Sequence, residues 1–386
     1  MHLSDVKTKS CFSFLALACS AQFGMAQVSI SSRSSTVSYN YVYGFGADTH
    51  SGSDTLTKTA LVANDQILIP MQGSTSGTWA GTFDYAASVQ GTMQNSYSVY
   101  GPATNQTRIR LTGTNVLSAA ASGFGLATLS ARNPGNEQTV FFTVGTGLSY
   151  RLLGNVAFTP GGDGYLALER WDGFTWQKLW YSWLLPGLQG PFNILGSTGA
   201  GSYKLIASSS ASADTNPDPP RPSSTSSYSL TLRAGARVTG TVNLQSYVGT
   251  LPQVATFTIT KGSSVDVQEA DVNPITGEYE YFTYLRGNAS VQAKGRNWLS
   301  QTRVLNLDLN SGAFNLLNGD ADGDNEVTIL DYLLLSAYFD RDSSWPLWST
   351  PDASGFSAKD ADLDGDSTVS ILDYIIMSTN YELAGS

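Results

Sequence analysis

Two copies of one acidic twelve-residue segment, 42 residues apart, constrain this chain more than any other feature. The first reads Asp320-Ala-Asp322-Gly-Asp324-Asn-Glu326-Val-Thr328-Ile-Leu-Asp331, the second Asp362-Leu-Asp364-Gly-Asp366-Ser-Thr368-Val-Ser370-Ile-Leu-Asp373. Each runs into an apolar stretch of helical character, Tyr332–Phe339 and Tyr374–Tyr381. Aspartates at positions 1, 3, 5 and 12 crowd like charges into a small volume, which disfavours their ionised forms unless a cation is shared. Oxygen donors at positions 1, 3, 5, 7 (through a carbonyl), 9 and 12 describe a cage for a hard cation of calcium's size. A solvated acidic tail would neither repeat that spacing nor keep Val327 and Val369 at position 8 of both copies. The expected ligands are Asp320, Asp322, Asp324, Glu326, Thr328 and Asp331 in one loop, and Asp362, Asp364, Asp366, Thr368, Ser370 and Asp373 in the other. Two calcium ions are expected, one per loop.

The loops resemble those of EF-hands, with two departures. Asn325 and Ser367 stand at position 6, where glycine is usual, and Gly323 and Gly365 fall at position 4. Asn enters left-handed backbone more readily than Ser. Position 12 is Asp rather than the longer Glu, so its reach demands a tighter helix entry. No helix is expected ahead of either loop, because Val304-Leu-Asn-Leu-Asp-Leu309 and Ser311–Gly319 read as a strand and a turn. Tandem loop–helix units of this kind resemble a dockerin domain over residues 317–386. The resemblance implies a cohesin-like protein partner, recognised through positions 10 and 11 and the helix that follows, here Ile329, Leu330, Ile371 and Leu372. The same four residues could instead form the small core between the helices, and both readings stand at this point. The shared Ile-Leu-Asp-Tyr signature implies that a partner can engage either repeat, with the module turned around.

The acidity is local. Residues 317–386 hold fourteen Asp and Glu against two Lys and Arg, a net of −12, whereas 27–316 carry a net of +1. No basic patch suggests nucleic acid. The N-terminus reads as an export signal (1–26): Lys7 and Lys9 precede Cys11–Cys19, and Gly24-Met-Ala26 supplies small residues for cleavage. Ala16-Leu-Ala-Cys19 is the alternative, a degenerate lipoprotein box. The apolar run is too short to span a membrane, and no later stretch is long enough. A secreted or cell-surface location follows. Both cysteines lie in the signal, so the exported chain would hold itself by burial and bound metal rather than disulfides.

The fold class expected is mainly β. Residues 27–234 show short alternating runs such as Thr107–Leu111 and Thr139–Val144, the pattern of an antiparallel sandwich. Tyr165–Trp171 and Phe174–Trp180 flank Asp172-Gly173, a two-residue turn signal. That turn would put Glu169, Trp171, Trp176, Lys178 and Trp180 on one face, either a platform for sugar rings or, the favoured reading, core. Ser208–Ser227 reads as a long loop, after which Tyr228–Leu232 could pair with Tyr203–Ile206. The stretch 140–233 faintly resembles the closing strands of a jelly roll. Residues 235–316 are similar to the carboxypeptidase-regulatory or transthyretin-like sandwich, on Val238-Thr-Gly-Thr-Val and Gly277-Glu-Tyr, and read as a non-catalytic spacer.

Catalytic machinery is scarce. His50 is the single histidine after the signal, in a loop-like setting, which excludes Cys–His pairs and multi-histidine zinc sites. Glycoside hydrolysis needs only two carboxyls, and Glu137 and Glu169 are the glutamates available in 27–234. The reading reached is an exported modular protein docked through 317–386, whose N-terminal domain serves carbohydrate binding or surface display rather than catalysis. The alternative is a secreted polysaccharide-degrading enzyme, a glycoside hydrolase or lyase of a β class.

Overall fold

The computed structural model describes residues 28–386 apart from 60–63, 80–82, 102–106, 124, 183–189, 216–219, 221 and 310–311. The export segment read at 1–26 lies outside the described residues. Twelve strands come first: β1 (Val28–Gly44), β2 (His50–Lys58), β3 (Asn64–Trp79), β4 (Phe83–Tyr100), β5 (Arg108–Gly123), β6 (Leu126–Val144), β7 (Leu148–Phe158), β8 (Asp163–Trp171), β9 (Trp176–Tyr181), β10 (Gly190–Thr198), β11 (Gly201–Asp214) and β12 (Ser223–Leu244). They form two antiparallel sheets, ordered β2-β1-β6-β11-β8-β9 and β10-β7-β12-β5-β4-β3. The sheets face each other as the expected sandwich. One end of its core packs Val140, Leu205 and Leu168 with Leu152, Leu230 and Leu111. The other is filled by smaller groups, among them Ala127, Ala131, Ala211, Val89 and Met93.

Between those ends lies a buried polar belt that alternation alone does not reveal. Gln138 Nε2 donates to the carbonyls of Ser96 and Thr112 and to the Tyr228 hydroxyl, at 3.1, 2.8 and 2.9 Å. The Tyr228 hydroxyl donates to Asn95 Oδ1 at 3.1 Å. Asn136 Nδ2 reaches the carbonyls of Gln94 and Thr114, and Asn115 Nδ2 reaches Ser209 and Ser226. The Tyr228 ring fits because Gly113 has no side chain; a Cβ there would lie 2.3 Å from it. These amides tie one sheet to the other across the core, so each is costly to orphan. Gln138→Ala is expected to lose about 1–3 kcal/mol, the cost of leaving a buried partner unpaired, read from urea unfolding at unchanged slope.

The long-loop expectation at Ser208–Ser227 needs correction. β11 runs on to Asp214 and β12 starts at Ser223, because small Ser and Ala side chains keep the alternation going. Tyr203–Ile206 and Tyr228–Leu232 do not pair. They lie in opposite sheets, β11 beside β6 and β8, and β12 beside β5 and β7. His50 opens strand β2 rather than sitting in a loop, with its ring stacked on Tyr43 at 5.1 Å.

The hairpin also departs from expectation. Trp171 pairs with Trp176 and Glu169 with Lys178, around a four-residue connection, Asp172–Thr175. Asp172 closes it: its Oδ1 accepts from the N–H groups of Phe174 and Thr175, both at 2.8 Å. These bonds hold its carboxyl down at about 2. A bulge at Leu179 then puts Trp180 opposite Leu168. An extra residue reverses which face the following side chains take. Trp180 is therefore core, stacked on Phe192 at 5.0 Å, while Trp171 and Trp176 stay on the outer face.

A second sandwich follows from β13 (Gln253–Lys261), β14 (Ser264–Val272), β15 (Glu278–Thr283), β16 (Asn288–Gly295), β17 (Trp298–Asn306) and β18 (Gly312–Leu316). One face is β14-β13-β16-β17; the other is the far half of β12 between β15 and a parallel β18. β12 thus serves both sandwiches, pairing with β7 up to Gly235 and with β15 from Ala236. Glu280 bridges Arg151 and Arg237 across the joint. Removing 236–316 as a spacer would cut β12 in two.

Candidate functional site

The C-terminal unit contains α1 (Ile329–Ala337), α2 (Ala358–Ala361) and α3 (Ile371–Thr379). α1 and α3 begin inside the two loops, as the sequence pattern requires. α2, a single turn directly ahead of the second loop, was not legible there.

Both loops turn on left-handed backbone. Gly323 and Gly365 have φ of +81° and +76°, Asn325 and Ser367 of +77° and +75°. The non-glycine residues at position 6 are thus accommodated, at some strain for Ser367. Their N–H groups donate to Oδ2 of Asp320 and Asp362, both at 3.1 Å. The position-8 valines are fully buried. Val327 N–H donates to the Leu383 carbonyl and Val369 N–H to the Arg341 carbonyl, both at 2.8 Å. The chain leaving α3 therefore backs the first loop, and the chain leaving α1 backs the second. Asp340 and Glu382, at matching points of these exits, both take left-handed φ, +62° and +66°.

The aspartates at position 12 explain how a short side chain suffices. Asp331 Oδ2 accepts from Thr328 N–H at 2.7 Å, and its Oδ1 from Ala321 and Asp322 N–H at 2.6 and 3.1 Å. Asp373 repeats this with Ser370, Leu363 and Asp364 at 2.7, 2.7 and 3.3 Å. Each carboxylate pulls the first helical turn onto the start of the loop, completing a capping box. The hydroxyls of Thr328 and Ser370, expected as ligands, cap the helices by accepting from Leu330 and Leu372 N–H at 3.1 Å.

Carboxylate oxygens of Asp320, Asp322 and Asp324 gather within 4.8 Å of one another, as do those of Asp362, Asp364 and Asp373. Glu326, Asp331 and Asp366 belong to neither closest set. Burial pushes up the carboxyls of Asp320, Asp322, Asp331, Asp364 and Asp373. Burial, then repulsion from Asp373, takes Asp362 to about 7. Asp320 Oδ1 is buried with no hydrogen-bond partner. Desolvated, all-oxygen donor sets with an unpaired buried oxygen fit a hard divalent cation of calcium's kind.

The apolar residues after each loop are outside. Ile329, Leu330, Ile371 and Leu372 are 53, 54, 56 and 51% exposed, so the core reading fails for all four. Leu333 and Ile375 extend the two faces, which meet where Tyr332 and Tyr374 touch edge-on at 6.0 Å. The module's own core is Val327, Leu335, Leu363, Val369 and Met377, on the other sides. It leans on the second sandwich through Gln245, whose Oε1 accepts from Asn318 N–H and Asn380 Nδ2 at 2.9 and 2.7 Å.

On the N-terminal sandwich, the outer face of β8 and β9 carries Trp171, Trp176 and Lys178, with Trp176 against Trp171 at 5.4 Å and Phe141 at 5.6 Å. Glu169 is buried in an ion pair with Lys204 at 2.6 Å, and Lys204 lies over Trp176 at 4.9 Å. Lys204, one strand beyond the hairpin on β11, and Phe141, two strands beyond it on β6, were missed because only sheet pairing brings them there. Glu137 and Glu169 do not form a hydrolytic pair. They sit four residues along and two strands apart in register. That is on the order of 16 Å at ~3.3 Å per residue and ~4.8 Å per strand, against roughly 5–9.5 Å for glycosidase pairs.

Comparison with known proteins bears on one region. Two interface mutants of a type II cohesin–X–dockerin complex from Acetivibrio cellulolyticus are similar at 19 and 18% identity. Each covers 39% of this chain and 98% of its own, with TM-scores of 0.29 and 0.28. Such scores carry no structural argument. No curated protein matches the sequence. The profile of the dockerin type I domain matches residues 318–380, the stretch that holds both acidic loops and both capped helices. The C-terminal module is a dockerin type I domain.

Proposed function

We propose that this protein is an exported, non-catalytic module of an extracellular assembly, held by calcium and docked through its dockerin to a cohesin-like partner. The observation that carries the reading is the pair of equivalent apolar faces, Ile329-Leu330-Leu333 and Ile371-Leu372-Ile375. All six are 51–56% exposed, at matching positions of the two repeats, so each helix presents the same contiguous apolar face. Unpaired apolar surface of this kind marks a protein contact. Titrating the whole protein against a panel of cohesin modules, with calcium and then with chelator, tests it. Absence of binding across the panel in calcium would sink the docking reading.

The N-terminal sandwich binds polysaccharide through the outer face of β8 and β9. Trp171 and Trp176 offer ring surface for sugar stacking, and Lys178, with Lys204 held in place by buried Glu169, offers polar contacts. Trp176→Ala is expected to abolish glycan retention in affinity electrophoresis while costing little stability. Trp180→Ala, which empties a core position, is expected to cost about 3–5 kcal/mol. Equal destabilisation by the two changes, read from melting curves, would refute this division of the hairpin.

A further inference from the structure

The two calcium loops match in backbone but not in what the second sandwich sets against them. Lys294, on β16, ion-pairs with Asp320 Oδ2. Its ammonium is held in place by the carbonyls of Trp298, Gly295 and Arg296 at 2.9, 3.1 and 3.3 Å. Asp320 Oδ2 is thereby taken up by Lys294 and Asn325 N–H, and Oδ1 is the oxygen left without a partner. Nothing comparable meets the second loop. Asp362 accepts from Gly365 and Ser367 N–H at 3.0 and 3.1 Å. Among the described residues, no lysine or arginine ion-pairs with Asp362, Asp364, Asp366 or Asp373. The sandwich's nearby cation, Arg296, pairs with Asp360, two residues ahead of that loop, and the groups it sets against the loop itself are neutral. The Tyr247 ring lies where a side chain at Gly365 would sit, with a Cβ 2.2 Å from it, and Val248 N–H donates to the Asp364 carbonyl at 2.8 Å.

We propose that Lys294 is a tethered counter-cation for the first loop, so that this loop keeps its fold when calcium is withdrawn while the second loop does not. A buried carboxylate left without a compensating charge is strongly destabilising. Lys294 supplies that charge from outside the dockerin, and its position is set by its own sandwich rather than by the loop it serves. Calcium therefore controls the two halves of the module unequally. At low calcium the α1 face stays in place, and the α3 face is the one that calcium switches on.

The inference rests on the calcium reading of both loops, and the test separates the two. Hydrogen exchange of the full-length protein, read by mass spectrometry, is compared in calcium and in chelator for wild type, Lys294→Met and Lys294→Arg. In chelator, wild-type peptides spanning 320–331 are expected to keep their protection while those spanning 362–373 exchange at least about tenfold faster, as for local opening. Lys294→Met should make the first loop open like the second in chelator, calcium should restore both, and Lys294→Arg should behave as wild type. Equal opening of both loops in wild type, or an unchanged first loop in Lys294→Met, would overturn the role of Lys294. So would a Lys294→Met protein left unprotected even in calcium, which would make Lys294 a plain packing residue. Loops indifferent to calcium in every variant would bring down the calcium reading itself.

Discussion

Placing a charge on both helix faces at once, Leu330→Asp with Leu372→Asp, is expected to eliminate capture by a cohesin module in calcium. Either substitution alone should leave affinity within a few fold. The faces are near copies: Ile-Leu-Asp-Tyr opens both α1 and α3, and the exposures of the two Ile-Leu pairs differ by only a few per cent. A partner turned end for end then finds the same contacts. Losing both faces removes the buried centre of either arrangement. Truncating one central anchor costs about 2 kcal/mol or more, and each 1.4 kcal/mol is about tenfold. The face in use therefore loses one anchor, roughly thirtyfold by truncation alone, and the aspartate put in its place adds the cost of burying an unpaired charge. Isothermal titration checks the series. A single substitution as damaging as the pair would show that only one face docks.

Asp373→Ala is expected to unfold the second half of the dockerin, and calcium should not rescue it. Asp373 is completely buried and receives three backbone N–H groups, from Leu363, Asp364 and Ser370. It also stands in the closest-gathered carboxylate set of its loop. Alanine orphans those donors at about 1–3 kcal/mol for each buried group left unpaired and removes a cation ligand besides. For a domain resting on so small a core, three such losses, roughly 3–9 kcal/mol together, are comparable with the whole margin of about 5–15 kcal/mol by which folded chains usually survive. Helical circular dichroism should fall and stay low as calcium is added, whereas the wild type should recover its signal after chelation. A calcium-induced gain in Asp373→Ala equal to that of wild type would contradict this.

How much of this molecule could be read in advance depends on the distance over which each feature is encoded. The acidic loops are each set by twelve consecutive residues. Position 8 points inward, position 12 caps the helix and position 6 turns left-handed because of backbone geometry within a few bonds of each residue. Hence Val327, Asp331 and Asn325 stand where their spacing requires. The β class of the rest is likewise local, since alternation specifies a pleated, half-buried strand whatever its neighbour.

Pairing is not local, and there the chain alone was insufficient. One extra residue, Leu179, turns Trp180 into the core and leaves Trp176 outside, because the side-chain period of a strand is two and a bulge reverses it. Gln138, Asn136 and Asn115 look like solvent-facing residues until two sheets close over them and convert them into cross-links. The Ile-Leu pairs, equally suited to a small core or to a partner, were settled as surface by how α1 and α3 pack. Lys294 has no sequence signature at all, being an ordinary lysine on a strand. What the sequence by itself determined is the paired acidic loops, the helix entries and the strand-rich class, because those follow from neighbours along the chain. What only the tertiary structure decided is which residues face outward and which charges meet, since both depend on surfaces brought together from distant positions.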